Sequence, residues 1–508
     1  MTENPTPPPS NGVQPPTGTQ PPQPIPGPPA SNVTGATAST THLSGSTDTA
    51  FSRGELSWAL FEWARTPYVI LITIYIFSPY FTNVVVGDPV EGQSIWGYTN
   101  GIAGFFIAVF APLFGAIADK GGSRKPWIAA FVGIMAPCMF LLWWALPGAD
   151  GGLSIWSIAV LIVVIGIAFE YSSVFHNAML PHITTPAKLG GLSGLGLAAG
   201  NAGSLLILIF MLFFFALPGQ MDWSFLPDAP LFGLDQESYQ HSRISGPIVA
   251  IWLLLFSIPL FLYTPDTKPT PHPLGSLVLQ GLETLYGTLR KLPQYRNVAT
   301  YLLARMFYND GKTAILIFGG VYAVGVFGWD EVRMLIYGIF LSVFAVVGGF
   351  FGGWLDNTVG SKRAIMVSIG ITTLGVIATV STTPTQILFV FPYDPATAPQ
   401  VWSFPYFNTW PEIIFMGLMT VVAVAITAAY ANSRTMMARL APPTMTTEFF
   451  GLYALSGTAT AFLAPMTVGF FTDLFASQRA GYASILLLLG AGLALMLFVK
   501  EEQAKALH

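Results

Sequence analysis

The chain has 508 residues, of which 53% are hydrophobic and only 9% are charged, with a formal net charge of −4 and a mean hydropathy of +0.59. Soluble domains carry roughly 25% charged residues because their surfaces face water, so this composition excludes a soluble enzyme. The negative net charge argues against nucleic-acid binding. The single cysteine, Cys138, excludes an intrachain disulfide and argues against a thiolate metal centre.

Residues 1–50 differ in composition from the rest of the chain. They hold 12 of the 40 prolines, many Ser, Thr and Gly, and no apolar run. Such a segment buries too little apolar surface to fold, so we expect a disordered, Pro-rich cytoplasmic tail. The tail also lacks the apolar stretch of a signal peptide.

Twelve apolar stretches follow, and each is long enough for a helix that crosses the hydrocarbon core, which needs about 20 residues. Backbone groups in lipid must be satisfied within the segment, so these stretches are predicted to be helices. Their expected bounds are 56–84, 94–118, 125–146, 153–180, 189–217, 245–264, 298–327, 332–355, 362–391, 410–439, 447–473 and 480–499. The predicted fold class is an all-α membrane protein with twelve transmembrane helices.

The spans form two sets of six around a polar stretch. We predict an N-terminal six-helix bundle at 51–264, a cytoplasmic linker with an amphipathic helix at 265–297, and a C-terminal six-helix bundle at 298–508. No dinucleotide-binding unit is expected, because the matching pattern GLGLAA at 194–199 lies inside a span instead of following a strand.

Basic residues orient the predicted spans, because cytoplasmic loops carry an excess of Lys and Arg. With the tail in the cytoplasm, that side receives Arg53, Lys120, Arg124, Lys125, Lys188, Lys268, Arg290, Lys291, Arg296, Lys362, Arg363, Arg439, Lys500 and Lys505. The other side receives only Arg243, Arg333 and Arg479. This ratio of 14 to three predicts that both termini are cytoplasmic, and we expect the plasma (inner) membrane as the location.

A glycine-containing turn recurs after the second span of each half. The first copy is GAIADKGGSRK at 115–125, which lacks the spacing of a phosphate-binding loop, and the second is GGWLDNTVGSKR at 352–363. An aspartate at the C-terminal end of a helix opposes the helix dipole unless a cation or another helix N-terminus compensates it. The recurring turn is therefore predicted to act as a latch. Its shared residues are Gly115, Asp119 and Arg124-Lys125 in the first copy and Gly352, Asp356 and Lys362-Arg363 in the second.

The first turn resembles the loop signature of the major facilitator superfamily, with Ser123 in place of one expected cation. Asn357 replaces a usual cation in the second copy. Other stretches resemble the branch of autophagy-related vacuolar amino-acid effluxers and their bacterial relatives, over roughly residues 55 to 500. The stretches are SWALFEWARTPY at 57–68, with Glu62 where Asp is common and Arg65 where Asn is, FYNDG at 307–311, the Ser433-Arg434 pair, and EFFG followed by YALSG at 448–457.

The resemblance implies two pseudo-symmetric six-helix bundles around a central cavity, with access that alternates between the two sides. In that superfamily the loop signature stabilises the outward-facing state through its aspartate and a basic residue. This implies gating roles for Gly115, Asp119, Arg124, Asp356 and Lys362. Arg434 and Glu448 belong either to an inner gate or to anchoring at the cytoplasmic interface.

Several charged and polar side chains lie within predicted spans, where a charge costs roughly 2.5–3.5 kcal/mol and usually faces a partner or a wet cavity. Two interpretations stay open: the ionic groups form the neutralised pairs Glu62–Arg65 and Arg305–Asp310 that lock helices together, or they line a pathway. His176, near the inner interface, is interpreted as having a loop role instead of a part in a proton relay. The candidate pathway residues are Glu62, Arg65, Glu170, Arg305, Tyr308, Asn309, Asp310 and Lys312.

These features predict a secondary active transporter, and the resemblance implies amino acids or similar small polar solutes as the transported molecules. Efflux follows from the resemblance, and proton coupling would use Glu62, Asp310 or Glu170. We expect a monomer in the lipid bilayer without cofactor, metal or nucleic acid. The alternatives are an integral-membrane transferase, which would need catalytic motifs that the sequence lacks, and a transporter fold used for lipid or drug export or for sensing. We expect no enzymatic activity.

Overall fold

Twelve helices in the described part of the chain are long and apolar enough to cross a membrane. The computed structural model describes residues 50–501, apart from 121, 222, 269–278, 280–282, 284–285, 288–289, 291 and 442–445. The all-α, twelve-span fold class is therefore confirmed. The predicted tail lies outside the described residues except for residue 50. Most of the predicted amphipathic helix of the linker also lies outside them.

We number the spans α1 to α12 in chain order. Their bounds are α1 Arg53–Val85, α2 Pro89–Gly115, α3 Lys125–Trp144, α4 Ile155–Ile183, α5 Gly191–Ala216, α6 Gln240–Tyr263, α7 Leu292–Phe327, α8 Glu331–Val359, α9 Ser361–Val380, α10 Trp410–Leu440, α11 Phe449–Phe475 and α12 Gln478–Phe498. The helix of α2 continues to Lys120, and that of α5 begins at Pro186. Two short strands, β1 (Gln386–Ile387) and β2 (Phe391–Pro392), lie between α9 and α10.

Span α1 is regular only over its first part, Arg53–Arg65. Ser52 and Glu55 form a capping box that fixes its start. Pro67 follows the regular part and has no backbone N–H, and the chain then continues as wider π-helical turns. The last regular turn therefore carries Glu62 and Arg65 at the point where the helix changes its winding.

Span α9 ends at Val380, and the prediction that it extends to residue 391 is wrong. The apolar run after Pro384 forms a hairpin in which β1 and β2 pair antiparallel. Leu388 and Phe389 make its turn with φ angles of 52° and 59°. Hydropathy alone assigned this run to the helix, whereas the proline and the tight turn direct it into a loop.

Corresponding spans pack alike in the two halves. Span α4 packs against α2 and α3, and α10 packs in the same way against α8 and α9. Span α1 packs against α5 and α6, whereas α7 packs mainly against α12. The loop signatures lie at one end of the bundle, which we call the signature end.

The two halves meet at the other end of the bundle, which we call the opposite end. Spans α2 and α11 are so close there that a Cβ atom on Gly97 would lie 2.7 Å from Cα of Gly469. Beside this contact, Gln93 Nε2 donates to Thr472 Oγ1 at 2.7 Å and to the carbonyl of Gln478 at 3.0 Å. Close backbone packing and buried amide hydrogen bonds therefore close the opposite end.

Candidate functional site

An arginine and a glutamate form an ion pair in the last regular turn of α1. Arg65 Nε lies 3.0 Å from Glu62 Oε2. The guanidinium also reaches α4, where Nη2 donates to Ser173 Oγ at 3.0 Å and the group lies 4.6 Å from the ring centre of Phe169. Glu170, the next residue of α4, is half-buried and close enough for Arg65 to act on its charge. The Arg65 cation therefore joins α1 to α4.

The second oxygen of Glu62 faces a buried histidine. His176 Nδ1 lies 3.2 Å from Glu62 Oε1. The His176 ring stacks on Trp58 with 4.4 Å between centroids, and Nε2 donates to the Trp58 carbonyl at 2.9 Å. His176 is fully buried, so the interpretation that it has a loop role is wrong. Its position in the sequence near the end of a span gave no indication of these contacts.

Arg305 of α7 binds the neighbouring span α11 instead of Asp310. Its Nη1 donates to the carbonyl of Tyr453 at 2.8 Å and to Ser456 Oγ at 2.7 Å, and the guanidinium lies 3.7 Å from the Tyr453 ring centre. Residues five apart on an α-helix point about 140° apart, which separates Arg305 from Asp310. The proposed Arg305–Asp310 pair is absent from the ion pairs of the described residues.

Asp310 is almost fully buried, with 2% of its surface exposed. Thr460 of α11 lies beside its carboxyl group, but neither the Thr460 hydroxyl nor Asp310 Oδ2 has a hydrogen-bond partner within the described residues. A buried carboxylate oxygen without a donor is costly, and among the described residues Asp310 shares this feature with Glu331, whose Oε1 also lacks a partner.

Lys312 lies on another face of α7, towards α10. Its Nζ atom is 3.6 Å from the ring centre of Tyr430 and 5.2 Å from that of Tyr308. The Tyr308 hydroxyl is 2.9 Å from Ser433 Oγ, and Asn309 is buried beside them. These residues join α7 to α10 through a lysine between two aromatic rings.

The two cations occupy corresponding places. Arg65 contacts Ser173 and Lys312 contacts Tyr430, and each contacted residue lies ten positions before the end of its helix, α4 at residue 183 and α10 at residue 440. An aromatic residue lies four positions before each cation, Phe61 before Arg65 and Tyr308 before Lys312. Phe61 contacts His176 and Tyr308 contacts Ser433. Each of these contacted residues lies three positions after the one that the cation contacts. The structural counterpart of Arg65 is therefore Lys312, and Arg305 is not.

At the signature end of the N-terminal half, Asp266 binds the start of α3. Its carboxylate accepts hydrogen bonds from the N–H groups of Arg124 and Lys125, at 3.0 and 2.9 Å, and from Ser123 Oγ at 2.7 Å. Partial burial opposes ionisation of Asp266, but these bonds and one from the Thr267 N–H outweigh it and hold its pKa below the usual value. An anion at a helix N-terminus is favourable, so Asp266 fixes the first loop signature to the chain after α6.

The C-terminal half repeats this arrangement with Glu501. Glu501 Oε1 accepts from the N–H of Ser361 at 2.9 Å, at the start of α9. Arg439 at the end of α10 bridges two carboxylates, with 2.7 Å to Glu501 and 2.9 Å to Asp356. Asp356 also accepts from Ser361 Oγ at 2.5 Å. Sequence reasoning missed Asp266 and Glu501, although each is the acidic residue that follows the sixth span of its half.

The other predicted gating residues take several positions. Lys362, expected as the partner of Asp356, donates through Nζ to the carbonyl of Leu497 at 3.1 Å. Gly115 is half-buried in α2, with open space around its Cα. Asp119 and Glu448 lie in helices, but their side chains lie outside the described part of the structure.

A polar face of α4 and α10 opens towards the signature end. Asn177 and Arg434 are exposed, each one helical turn beyond the residue that contacts the cation of its half. The ring of Tyr430 is 37% exposed. Asn177 and Arg434 therefore lie nearer the signature end than the ionic groups do.

Comparison of the sequence with those of known proteins shows the family of the chain. A model of the family described as Atg22-like vacuole effluxers matches residues 80–190 and 185–507. The chain belongs to this family. An uncharacterized transporter of the major facilitator type from Bacillus subtilis, YxiO, is 25% identical over 461 residues, which cover 89% of this chain and 96% of that protein. Autophagy-related protein 22 of Yarrowia lipolytica is 22% identical over 366 residues, 68% of this chain and 56% of the yeast protein.

Solved structures of distant sequence share the fold of this family member. A D-xylose–proton symporter superposes with a TM-score of 0.60 at 14% identity, over 89% of this chain and 97% of that one. An inward-facing, occupied bacterial homologue of the human lysosomal transporter Spinster superposes with a TM-score of 0.57 at 15% identity, over 89% and 98%. The fold is thus that of the major facilitator superfamily. Fold and family together identify the chain as a secondary transporter of this type.

Proposed function

We propose that the protein is a secondary active transporter that exports amino acids or similar small polar solutes by alternating access. The observation that carries the proposal is the arrangement of the polar groups: ionic side chains of α1 and α7 contact α4 and α10, whose exposed residues Asn177 and Arg434 lie nearer the signature end. Because the opposite end is closed, we infer a central cleft that opens at the signature end. The family description as vacuole effluxers supports export. The Bacillus subtilis relative and the two solved structures named above are transporters, so we expect no enzymatic activity.

Proton coupling is assigned to Asp310. Glu62 is engaged by Arg65 and faces His176. Asp310 has no cation within ion-pair distance among the described residues, and its Oδ2 has no donor. Of these two carboxyl groups, Asp310 is therefore the one that lacks an ionic partner among the described residues.

The signature end is proposed to face the cytoplasm, with the protein in the plasma membrane as a monomer. The ratio of 14 basic residues to three between the two sides supports this orientation. In this orientation the cleft of the structure opens to the cytoplasm, as an exporter that loads its solute requires.

Uptake into proteoliposomes tests both parts of the proposal. The purified protein would be assayed with a panel of radiolabelled L-amino acids, with and without an imposed pH gradient, beside Asp310→Asn. We expect the gradient to accelerate uptake in the wild type, and Asp310→Asn to retain counterflow exchange while losing this acceleration. A wild type that moves no member of the panel would remove the solute class, and equal gradient responses in both proteins would remove the assignment to Asp310.

A further inference from the structure

Lys312 lies inside the protein without a hydrogen-bond acceptor. Its side chain has no exposed surface, and Nζ has no acceptor within the described residues. An ammonium in a low-dielectric interior loses its hydration, which costs several kcal/mol when no partner replaces it. Cation–π contact with the two aromatic rings stabilises the ammonium by about 2 kcal/mol, which offsets only part of this cost. The site is therefore incomplete in this conformation.

The corresponding cation of the other half shows what is missing. Arg65 is neutralised by Glu62, three residues earlier on the same helix face, at 3.0 Å. The residue three positions before Lys312 is Asn309, which is uncharged. The second half thus keeps the cation and its aromatic contacts but lacks the carboxylate.

Neighbouring charged groups do not supply a counter-ion. Asp310 is two residues away, about 160° around the helix, and lies beside Thr460 of α11. Arg305 has the same sign as Lys312 and donates to Tyr453 and Ser456. An anion that enters from the cleft meets Tyr430 first, because this ring covers the ammonium and is partly exposed.

We propose that Lys312 binds the anionic group of the transported solute, a carboxylate or a group of like charge, after the Tyr430 ring moves aside. The inference rests on the proposed transport function and narrows it: solutes that carry a negatively charged group are preferred over neutral ones such as sugars and uncharged nucleosides. The solute supplies the negative charge that Glu62 supplies to Arg65 in the other half.

Binding to the purified protein tests this inference with matched probes. The probes are the L-amino acids and their α-amides, which differ only in the carboxylate, together with D-xylose and uridine as neutral solutes. Affinity would be measured by ligand-dependent thermal stabilisation and calorimetry. We expect at least one amino acid to bind and its amide to bind roughly 10- to 100-fold more weakly, the range that one hydrogen bond to a charged group covers.

Two kinds of variant test the site: one removes the positive charge of Lys312, and the other adds a competing carboxylate at residue 309. Lys312→Met removes the charge and nearly keeps the volume, so it should bind the acid and its amide with equal, weak affinity. Asn309→Glu places a carboxylate three residues before Lys312, as Glu62 stands before Arg65, and should weaken binding of the acid by competing with it. Asn309→Gln adds the same length without charge, so the difference between the two Asn309 variants isolates the effect of the added carboxylate.

The outcomes separate this inference from the transport function. Transport of an amino acid by the wild type together with unchanged acid-to-amide discrimination in Lys312→Met overturns the role of Lys312 alone. Stabilisation of the wild type by D-xylose or uridine but by no amino acid overturns the solute class of both proposals. Weaker binding of the acid by Asn309→Glu than by Asn309→Gln supports the inference even if Lys312→Met does not fold, and equal binding by the two variants contradicts it.

Discussion

Arg65 of α1 and Lys312 of α7 reach the same position of their partner helices, but only Arg65 has a carboxylate within ion-pair distance among the described residues. The two halves of the transporter are therefore alike in geometry and different in charge. A transporter with identical halves would present the same chemistry from both sides of its cleft. Here the N-terminal half offers a completed ion pair and the C-terminal half offers a cation between aromatic rings.

Replacing Glu62 by Gln should destabilise the protein, because Arg65 keeps its charge and loses its partner. Removing one member of a buried ion pair costs about 3–5 kcal/mol, and the 16% exposure of the Glu62 side chain places the expected loss at the low end of this range. Thermal melting in one detergent would show the loss as a lower Tm. The double variant Glu62→Gln/Arg65→Gln should recover part of it, and Glu237→Gln in an exposed loop should melt like the wild type. Identical Tm values for the single and double variants would contradict an ionic coupling.

Replacing Asp266 by Asn should lower Tm, because the amide accepts hydrogen bonds from α3 without a charge that favours the helix N-terminus. The pKa of Asp266 lies below its usual value, so the stabilisation is fully present above about pH 4 and is lost only as the pH falls through the lowered pKa. The difference in Tm between wild type and variant should thus be constant from about pH 5 to 8. A difference that changes within this interval would show that another group governs the contact.

The bridge made by Arg439 should be worth less than its two bonds indicate, because the Arg439 side chain is 40% exposed. We expect Arg439→Gln to cost about 1 kcal/mol or less. Asp356→Asn should cost more than Glu501→Gln, since the Asp356 side chain is 10% exposed and that of Glu501 is 28% exposed. A double-mutant cycle between Arg439 and each acid measures the two couplings. The reverse order of the couplings would be evidence against this ranking.

Gly97→Leu should open the opposite end, since the added side chain has no room against Gly469. Spin labels on cysteines introduced at residues 88 and 473, in a Cys138→Ser background, would report the distance between α2 and α11 by pulsed electron paramagnetic resonance. We expect a longer distance distribution in Gly97→Leu and slower transport. Gly133→Leu on α3 is the matched control, because Gly133 has open space around it. Unchanged distances in Gly97→Leu would mean that this contact does not hold the end closed.

Hydropathy and charge sufficed to predict the number, order and approximate bounds of the spans, because lipid permits few backbone structures. The same signal failed at residues 381–391, where an apolar run after Pro384 forms a hairpin. Apolar character reports burial or lipid contact, and it does not report backbone conformation.

The sequence was enough to predict which charged residues lie within the spans, but it was enough to predict only one of their two pairings. Glu62 and Arg65 are three apart, so helix geometry brings them together. Arg305 and Asp310 are close in sequence but point to different neighbours, which only the packing of α11 determines. Asp266 and Glu501 lie in polar segments without a local pattern. A comparison of the residues that follow the sixth span of each half would have identified them.

Asp266 and Glu501 bind main-chain N–H groups, and every amino acid except proline carries such a group. These two carboxylates therefore do not distinguish between the side chains at the start of α3 and of α9. Substitution of the Lys125 or Lys362 side chain leaves both helix caps intact, whereas a proline at residue 125 or 361 removes the N–H group that the carboxylate binds.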